Sequence, residues 1–272
     1  MVPQACKIVG SRRFPAPNLS RDTNECHVSD QRTERKQKAT MAFHYKPIKD
    51  ITAYLSSVHH GGKFLDVGPG LVPFPGATHM IDHLDRKIAG VQNIKLNVCE
   101  ESLPFSDHEF DFVYCRHVLE DINNPDFLFR ELRRVGKAGY IETPSPMAEL
   151  TKRVDSHGKD SSYRGYIHHR HIIWNVNDGV LRILPKFPIV EHLDRPDSYW
   201  SDLRDPYAWN SYFMWGKGTP PEMDHGPPNY KVLYNDIDYN IHNDYNRMLD
   251  QAINEARRNV QAFKRFIGAQ HV

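Results

Sequence analysis

Lys63-Phe64-Leu65-Asp66-Val67-Gly68-Pro69-Gly70 is an apolar run that ends in a glycine turn. A short run of this kind has the character of a buried parallel strand. Glycine removes the side chain where a ligand must touch the backbone, and it permits positive φ at a tight turn. In an open α/β sheet such a turn lies at the carboxyl ends of the strands, where ligands bind.

Working outward from this turn, strands alternate with helices or loops. Thr78 to Asp82 predicts a second strand, Asn93 to Leu96 a third and Phe110 to Tyr114 a fourth. Asn124 and Pro125 provide a helix cap and a first-turn proline, and Leu128, Leu132 and Val135 follow as its buried stripe. Gly139 to Thr143 predicts a fifth strand, stopped by Pro144 and Pro146. Upstream, Met41 to Val58 carries Ile48, Ile51, Leu55 and Val58 near helical spacing. The pattern predicts an α/β fold, a doubly wound, mostly parallel, Rossmann-like sheet with helices on both faces.

Beyond residue 150 the pattern changes. His171 to Val176 and Val180 to Leu184 flank Asn177-Asp178-Gly179, a hairpin signal. Residues 194–235 are dense in Pro, Trp and Tyr, and their lack of periodicity predicts an irregular segment. Tyr245 to Ile267 reads as an amphipathic helix with Leu249, Ala252, Ala256, Val260 and Phe263 on its apolar side. We expect a flexible leader over 1–40, a core over 41–190, and an extension over 191–272 packed on that core.

The 272 residues suffice for one large α/β domain. Lys plus Arg number 35 and Asp plus Glu 34, so no charge excess points to nucleic acid or an anionic membrane. Mean hydropathy is −0.63. No apolar run reaches the roughly 20 residues a bilayer span needs. The polar, basic N-terminus does not resemble a secretory signal. Cys6, Cys26, Cys99 and Cys115 show no framework spacing, which fits a reduced, cytoplasmic protein.

A dinucleotide fingerprint would need a third glycine and a helix straight after the turn. Gly70 is followed instead by Leu71, Val72 and Pro73. The blocks Lys63–Gly70, Met80-Ile81-Asp82, Leu103 to Cys115, His117-Val118-Leu119-Glu120-Asp121 and Gly139 to Pro146 occur in an order that resembles the class I S-adenosylmethionine-dependent methyltransferases of the type 11 group. The likeness covers about Gly62 to Pro146, with a fainter continuation to His168-His169-Arg170 and the Asn177 hairpin.

The resemblance implies a methyltransferase with S-adenosylmethionine as cofactor and a small molecule as acceptor. Asp66, Gly68 and Gly70 would line the methionine part, and Asp82 would take the ribose hydroxyls. Asn97 and Val98 would border the adenine, while Cys115, Arg116 and His117 would close over the cofactor and face the acceptor. This chain departs from the pattern in three places. Gly70 and Asp82 are only 12 positions apart, so a proline-containing loop over Leu71–Ala77 replaces a full first helix. Asn97 stands at a usually acidic position, and Asp121 stands where histidine is frequent. The rival readings are a nicotinamide-dependent oxidoreductase on the same sheet and a non-catalytic protein that kept the cofactor fold.

Methyl transfer is an in-line displacement, so the protein mainly positions the acceptor. A hydroxyl or ammonium acceptor also needs a base. The candidates are His117, His168 and His169 as catalytic residues, with Glu142 at the end of the fifth strand and His171 as further candidate bases. We expect Arg170 to pair with a protein carboxylate. No metal is expected: neighbouring histidines on a strand face opposite ways, so His168 and His169 could not share an ion there. A two-histidine site would also need a carboxylate converging from elsewhere. The aromatics from Tyr199 to Trp215 read as filling for a satellite core rather than as an acceptor wall.

Overall fold

Five short strands follow one another through the sequence-defined core. They are β1 (Phe64–Val67), β2 (His79–Asp82), β3 (Gln92–Lys95), β4 (Phe112–Arg116) and β5 (Gly139–Pro144). All pair in parallel in the order β3-β2-β1-β4-β5. β1 is flanked by β2 on one side and β4 on the other, so connections leave it in opposite directions. This switch point opens a crevice at the carboxyl edge. The computed structural model describes residues 47–269, apart from 60, 71, 86, 156–161, 222, 224–226 and 234–240. The expected leader over 1–40 and the first residues of the Met41 helix lie outside the described residues. All described residues fall within one compact unit, Met41–Val272.

The helix over residues 47–58, α1, buries Ile51 and Leu55 against the sheet. α2 (Pro125–Val135) begins with proline at its first turn and buries Leu128, Phe129, Leu132 and Val135 on the opposite face. Each such side chain contributes about 1.5–3 kcal/mol on burial. Asn124 precedes α2 as expected but does not cap it through its side chain. Its Nδ2 donates instead to Cys99 O at 3.2 Å, tying α2 to the loop after β3. Among the described residues, no helix separates β1 from β2. The loop there is anchored by Phe74, whose ring stacks on Phe64 at 5.1 Å.

The hairpin is present. β6 (His171–Trp174) pairs antiparallel with β7 (Val180–Pro185) around Asn177, which has φ 66°. These strands join β9 (Asn229–Val232) in a separate three-stranded sheet.

The aromatic segment corrects the expectation of irregular chain. Within it β8 (Asn210–Trp215) is fully buried and pairs antiparallel with β5, becoming the sixth strand of the main sheet. Period-two alternation is missing because both faces of β8 are covered, so polar and apolar positions alike are buried along it. Short helices α3 (Pro146–Leu150) and α4 (Trp200–Leu203) lie before it. α5 (Ile241–Ala269) packs on it, and the rings of Phe263 and Tyr212 stack at 3.8 Å. Asn259 of α5 accepts from Tyr212 N–H at 3.0 Å. Tyr207, Trp209, Tyr212, Phe213 and Trp215 are buried in the main core on the central sheet rather than in a satellite core, while Trp200 is exposed.

Gly139 lies opposite Trp215 in the β5–β8 register, and a Cβ added there would stand 2.2 Å from the Trp215 ring. Gly139→Ala should therefore cost about 1–3 kcal/mol as overpacking. Urea unfolding followed by tryptophan fluorescence measures this, and an unchanged midpoint would show that the indole has room to move.

Candidate functional site

The turn after β1 is bent by two glycines in the left-handed region. Gly68 has φ 71° and Gly70 has φ 62°. Gly68 has a second reason to be glycine, since a Cβ would meet Val118 Cγ2 at 2.4 Å. A Cβ on Gly70 would meet nothing within 4 Å. The backbone at Gly70 is thus open to a ligand, while Gly68 is pressed against the chain beyond β4.

Two cavities meet at this turn. One, of about 750 Å³, is bounded by α1 through Ile48 and Thr52, by Asp66 and Phe74, and by Tyr114 and Arg116 of β4. The other, of about 440 Å³, is bounded by Asp82, by Asn97 and Val98 after β3, and by Val118 and Asp121. Gly68, Gly70 and His117 line both. Volumes of this order suit small ligands.

Most of the expected residues therefore converge. Asp66 is the third residue of β1 and almost fully buried; Phe74 N–H donates to its Oδ2 at 2.6 Å. Burial pushes its carboxyl up to about 7, against the opposing pull of the Phe74 bond and Arg116. Asp82 closes β2, buried, and its Oδ1 accepts from Leu84 N–H at 3.0 Å and lies 3.0 Å from His83 Nδ1. Asn97 holds its own loop, accepting from Cys99 N–H at 3.2 Å.

Cys115 does not converge. Successive strand residues face opposite sides, so Tyr114 and Arg116 reach the larger cavity while Cys115 points into the core beside α2. It is fully buried, lines neither cavity, and its thiol is pushed well up by burial.

His117 leaves β4 with φ 54°, a left-handed conformation uncommon for a non-glycine residue. Its Nδ1 lies 3.1 Å from Glu120 Oε1 and its Nε2 lies 3.7 Å from Glu142 Oε1. Burial, then Arg116, lower its pKa to about 3, so the ring is neutral at physiological pH. Burial raises Glu120 to about 8. Glu142 is no free base. It is wholly buried and accepts from Arg116 Nε at 2.9 Å, Asn210 Nδ2 at 2.6 Å and Tyr140 Oη at 2.5 Å. Burial would raise its pKa, but the Arg116 charge and the hydrogen bonds from Arg116 and Tyr140 outweigh it and hold the carboxyl below its ordinary value.

His168 and His169 correct the expectation that they face apart. They precede β6 in a turn, not on a strand, and their rings meet edge to face at 4.4 Å. His168 is exposed and His169 buried. Arg170 is also exposed, and it docks this loop through its backbone, its N–H donating to Glu120 O at 2.7 Å. His171 Nδ1 is buried, and burial and Arg170 push its pKa down to about 4. Sequence reasoning missed Glu120, Val118, Tyr114 and the α1 wall. Only the helical spacing of 47–58 hinted at the last, through Ile48 on its predicted stripe.

Residues 76–141 match the family model described as a methyltransferase domain. No curated protein matches the chain. Solved structures similar to it include an S-adenosylmethionine-dependent methyltransferase from Mesorhizobium loti, 20% identical over 37% of this chain and 55% of that one, with a TM-score of 0.31. The cyclase SpnF is 21% identical over 37% and 45%, with a TM-score of 0.32. A methyltransferase from Thermotoga maritima is 15% identical over 51% and 74%, with a TM-score of 0.35. The chain thus spans about half the length of the first two. Residues 76–141 are thus similar to a methyltransferase domain, carried here on a mostly parallel, Rossmann-like sheet.

Asp66 binds a proton in the folded chain up to about pH 7, whereas its ordinary value is 3.8. The folded state therefore holds more protons than the unfolded state between those values, and stability falls as pH rises through that window. Asp66→Asn should remove this part of the slope, on the order of 2–4 kcal/mol. Urea unfolding at pH 5 and pH 8 checks it, and equal slopes in both proteins would refute the buried, protonated carboxyl.

Proposed function

We propose that this chain transfers the methyl group of S-adenosylmethionine to a small-molecule acceptor by in-line displacement. The observation that carries the reading is the pair of cavities joined at Gly68, Gly70 and His117. The smaller cavity has groups suited to an adenosine: the Asp82 carboxylate to accept from ribose hydroxyls, and Asn97 with Val98 for the adenine edge. Gly70 leaves backbone open where the two meet, so the fit favours a cofactor bent across the turn. When bound, that cofactor supplies a methyl carbon already activated by sulfonium charge.

The chain's own part is positioning. The larger cavity is mostly apolar, with Phe74 and Tyr114 on its walls and Arg116 at its polar end. This favours a small, partly apolar acceptor with one polar group. His117, neutral and facing both cavities, is assigned to orient that group by a hydrogen bond. Its low basicity makes it a poor store for a proton, whereas Asp66, with a pKa near neutrality, is better matched to receive one. A nicotinamide reading is disfavoured by the lack of a described helix behind the turn to face a pyrophosphate.

Calorimetry with S-adenosylhomocysteine and a nicotinamide cofactor tests the cofactor, and only the former should bind. Asp82→Ala should weaken that binding by about 1–3 kcal/mol, the cost of removing a charged acceptor from buried hydroxyls; unchanged affinity would sink the ribose assignment. Purified chain given small hydroxyl and amine acceptors should release S-adenosylhomocysteine. Tight cofactor binding with no release across a broad panel would overturn methyl transfer in favour of a binding role.

A further inference from the structure

Beside the smaller cavity, the turn Val118–Asp121 and the loop carrying His168 and His169 are held together by backbone. Arg170 N–H and His171 N–H both donate to Glu120 O, at 2.7 and 3.2 Å. This clamp fixes where the two imidazoles stand relative to Asp121, the next residue. Asp121 Oδ1 lies 3.8 Å from His168 Nε2 and 3.7 Å from His169 Nε2. One ligand atom from each of the three residues lies within 4.8 Å of the others. A point among atoms so spaced is within about half an ångström of the roughly 2.0–2.2 Å at which transition metals bond nitrogen and oxygen.

Two further observations point at an ion. Asp121 Oδ1 is buried and accepts no hydrogen bond. A buried carboxylate oxygen without a donor is costly. His169 is meanwhile oriented from behind: its Nδ1 lies 2.5 Å from Glu149 Oε1, and Lys186 Nζ donates to Glu149 Oε2 at 2.7 Å. A carboxylate on the far nitrogen is the usual second partner of a metal-binding histidine, because it fixes the tautomer that presents a lone pair on the near one. That lone pair then faces the bare Asp121 oxygen. A shared proton would not bridge them well, since 3.7 Å exceeds hydrogen-bond reach.

We propose that Asp121, His168 and His169 form a site for one divalent first-row transition-metal ion, of the two-histidine, one-carboxylate kind. Three protein ligands leave positions open for water or an exogenous oxygen or nitrogen. Asp121 also lines the smaller cavity, so the ion would stand at its wall. His168, exposed, is the ligand free to adjust, while His169 and Asp121 are held. This inference does not rest on the methyl-transfer reading, and its test needs neither cofactor nor turnover.

The test is titration of the chelator-stripped full chain with Zn²⁺ by calorimetry, and with Co²⁺ by visible absorption. We expect one ion per chain and cobalt bands of a low-coordinate nitrogen and oxygen site. Asp121→Asn and His168→Ala each change a side chain that is at least partly exposed, so both should keep the wild-type circular dichroism. Each should weaken Zn²⁺ binding at least tenfold and abolish the cobalt bands. Failure of the wild-type chain to bind a stoichiometric ion would overturn the site. So would binding that neither substitution weakens, which would assign the ion to scattered surface histidines.

Discussion

Glu142 is the interaction on which the site depends. A carboxylate taken wholly out of water costs several kcal/mol unless its oxygens are matched by charge and hydrogen bonds. Here the match comes from three strands of the main sheet: Arg116 on β4, Tyr140 on β5 itself and Asn210 on β8. The register sets Arg116 and Tyr212 directly beside Glu142 on either side. Satisfying this one group therefore fixes the order of the strands and the height of Arg116 in the larger cavity. It also sets the charge field around His117, which lies within 3.7 Å of the same oxygen.

The acids around the cavities divide by what pairs with them. Glu142 and Glu149 have cations at hydrogen-bond distance and are held below their ordinary pKa although fully buried. Asp66 and Glu120 are equally dry but rely on weaker partners, and burial pushes them to about 7 and about 8. The buried acids near the switch point between β1 and β4 thus include two held charged by cations and two held protonatable by burial. Groups of shifted pKa gathered in a cleft are a physical mark of a functional site.

Much of this was legible along the chain because its signals are local. A buried parallel strand is a short apolar run, and Phe64–Val67 and Gly139–Pro144 stand where such runs end in turn residues. Gly68 and Gly70 announce positive φ, and the short interval to Asp82 announces the missing helix. β8 was not legible. A strand covered on both faces loses the alternation that marks strands, and its tyrosines and tryptophans could equally have filled a loop. The orientation of Cys115 was missed for a related reason: the motif supplied the position, while strand alternation decided the face.

The sequence by itself determined the α/β class, the glycine turn and the carboxylates at the strand tips. Periodicity and turn chemistry act between neighbours and need no distant partner. Only the tertiary structure decided which of those residues share a cavity. It brought Asn210 to Glu142 across 68 positions and Glu149 to His169 across 20. It also turned His168 and His169 to one side through a backbone clamp to Glu120. Such pairings are selected by the need to satisfy buried polar groups, a condition that exists only once the core has closed.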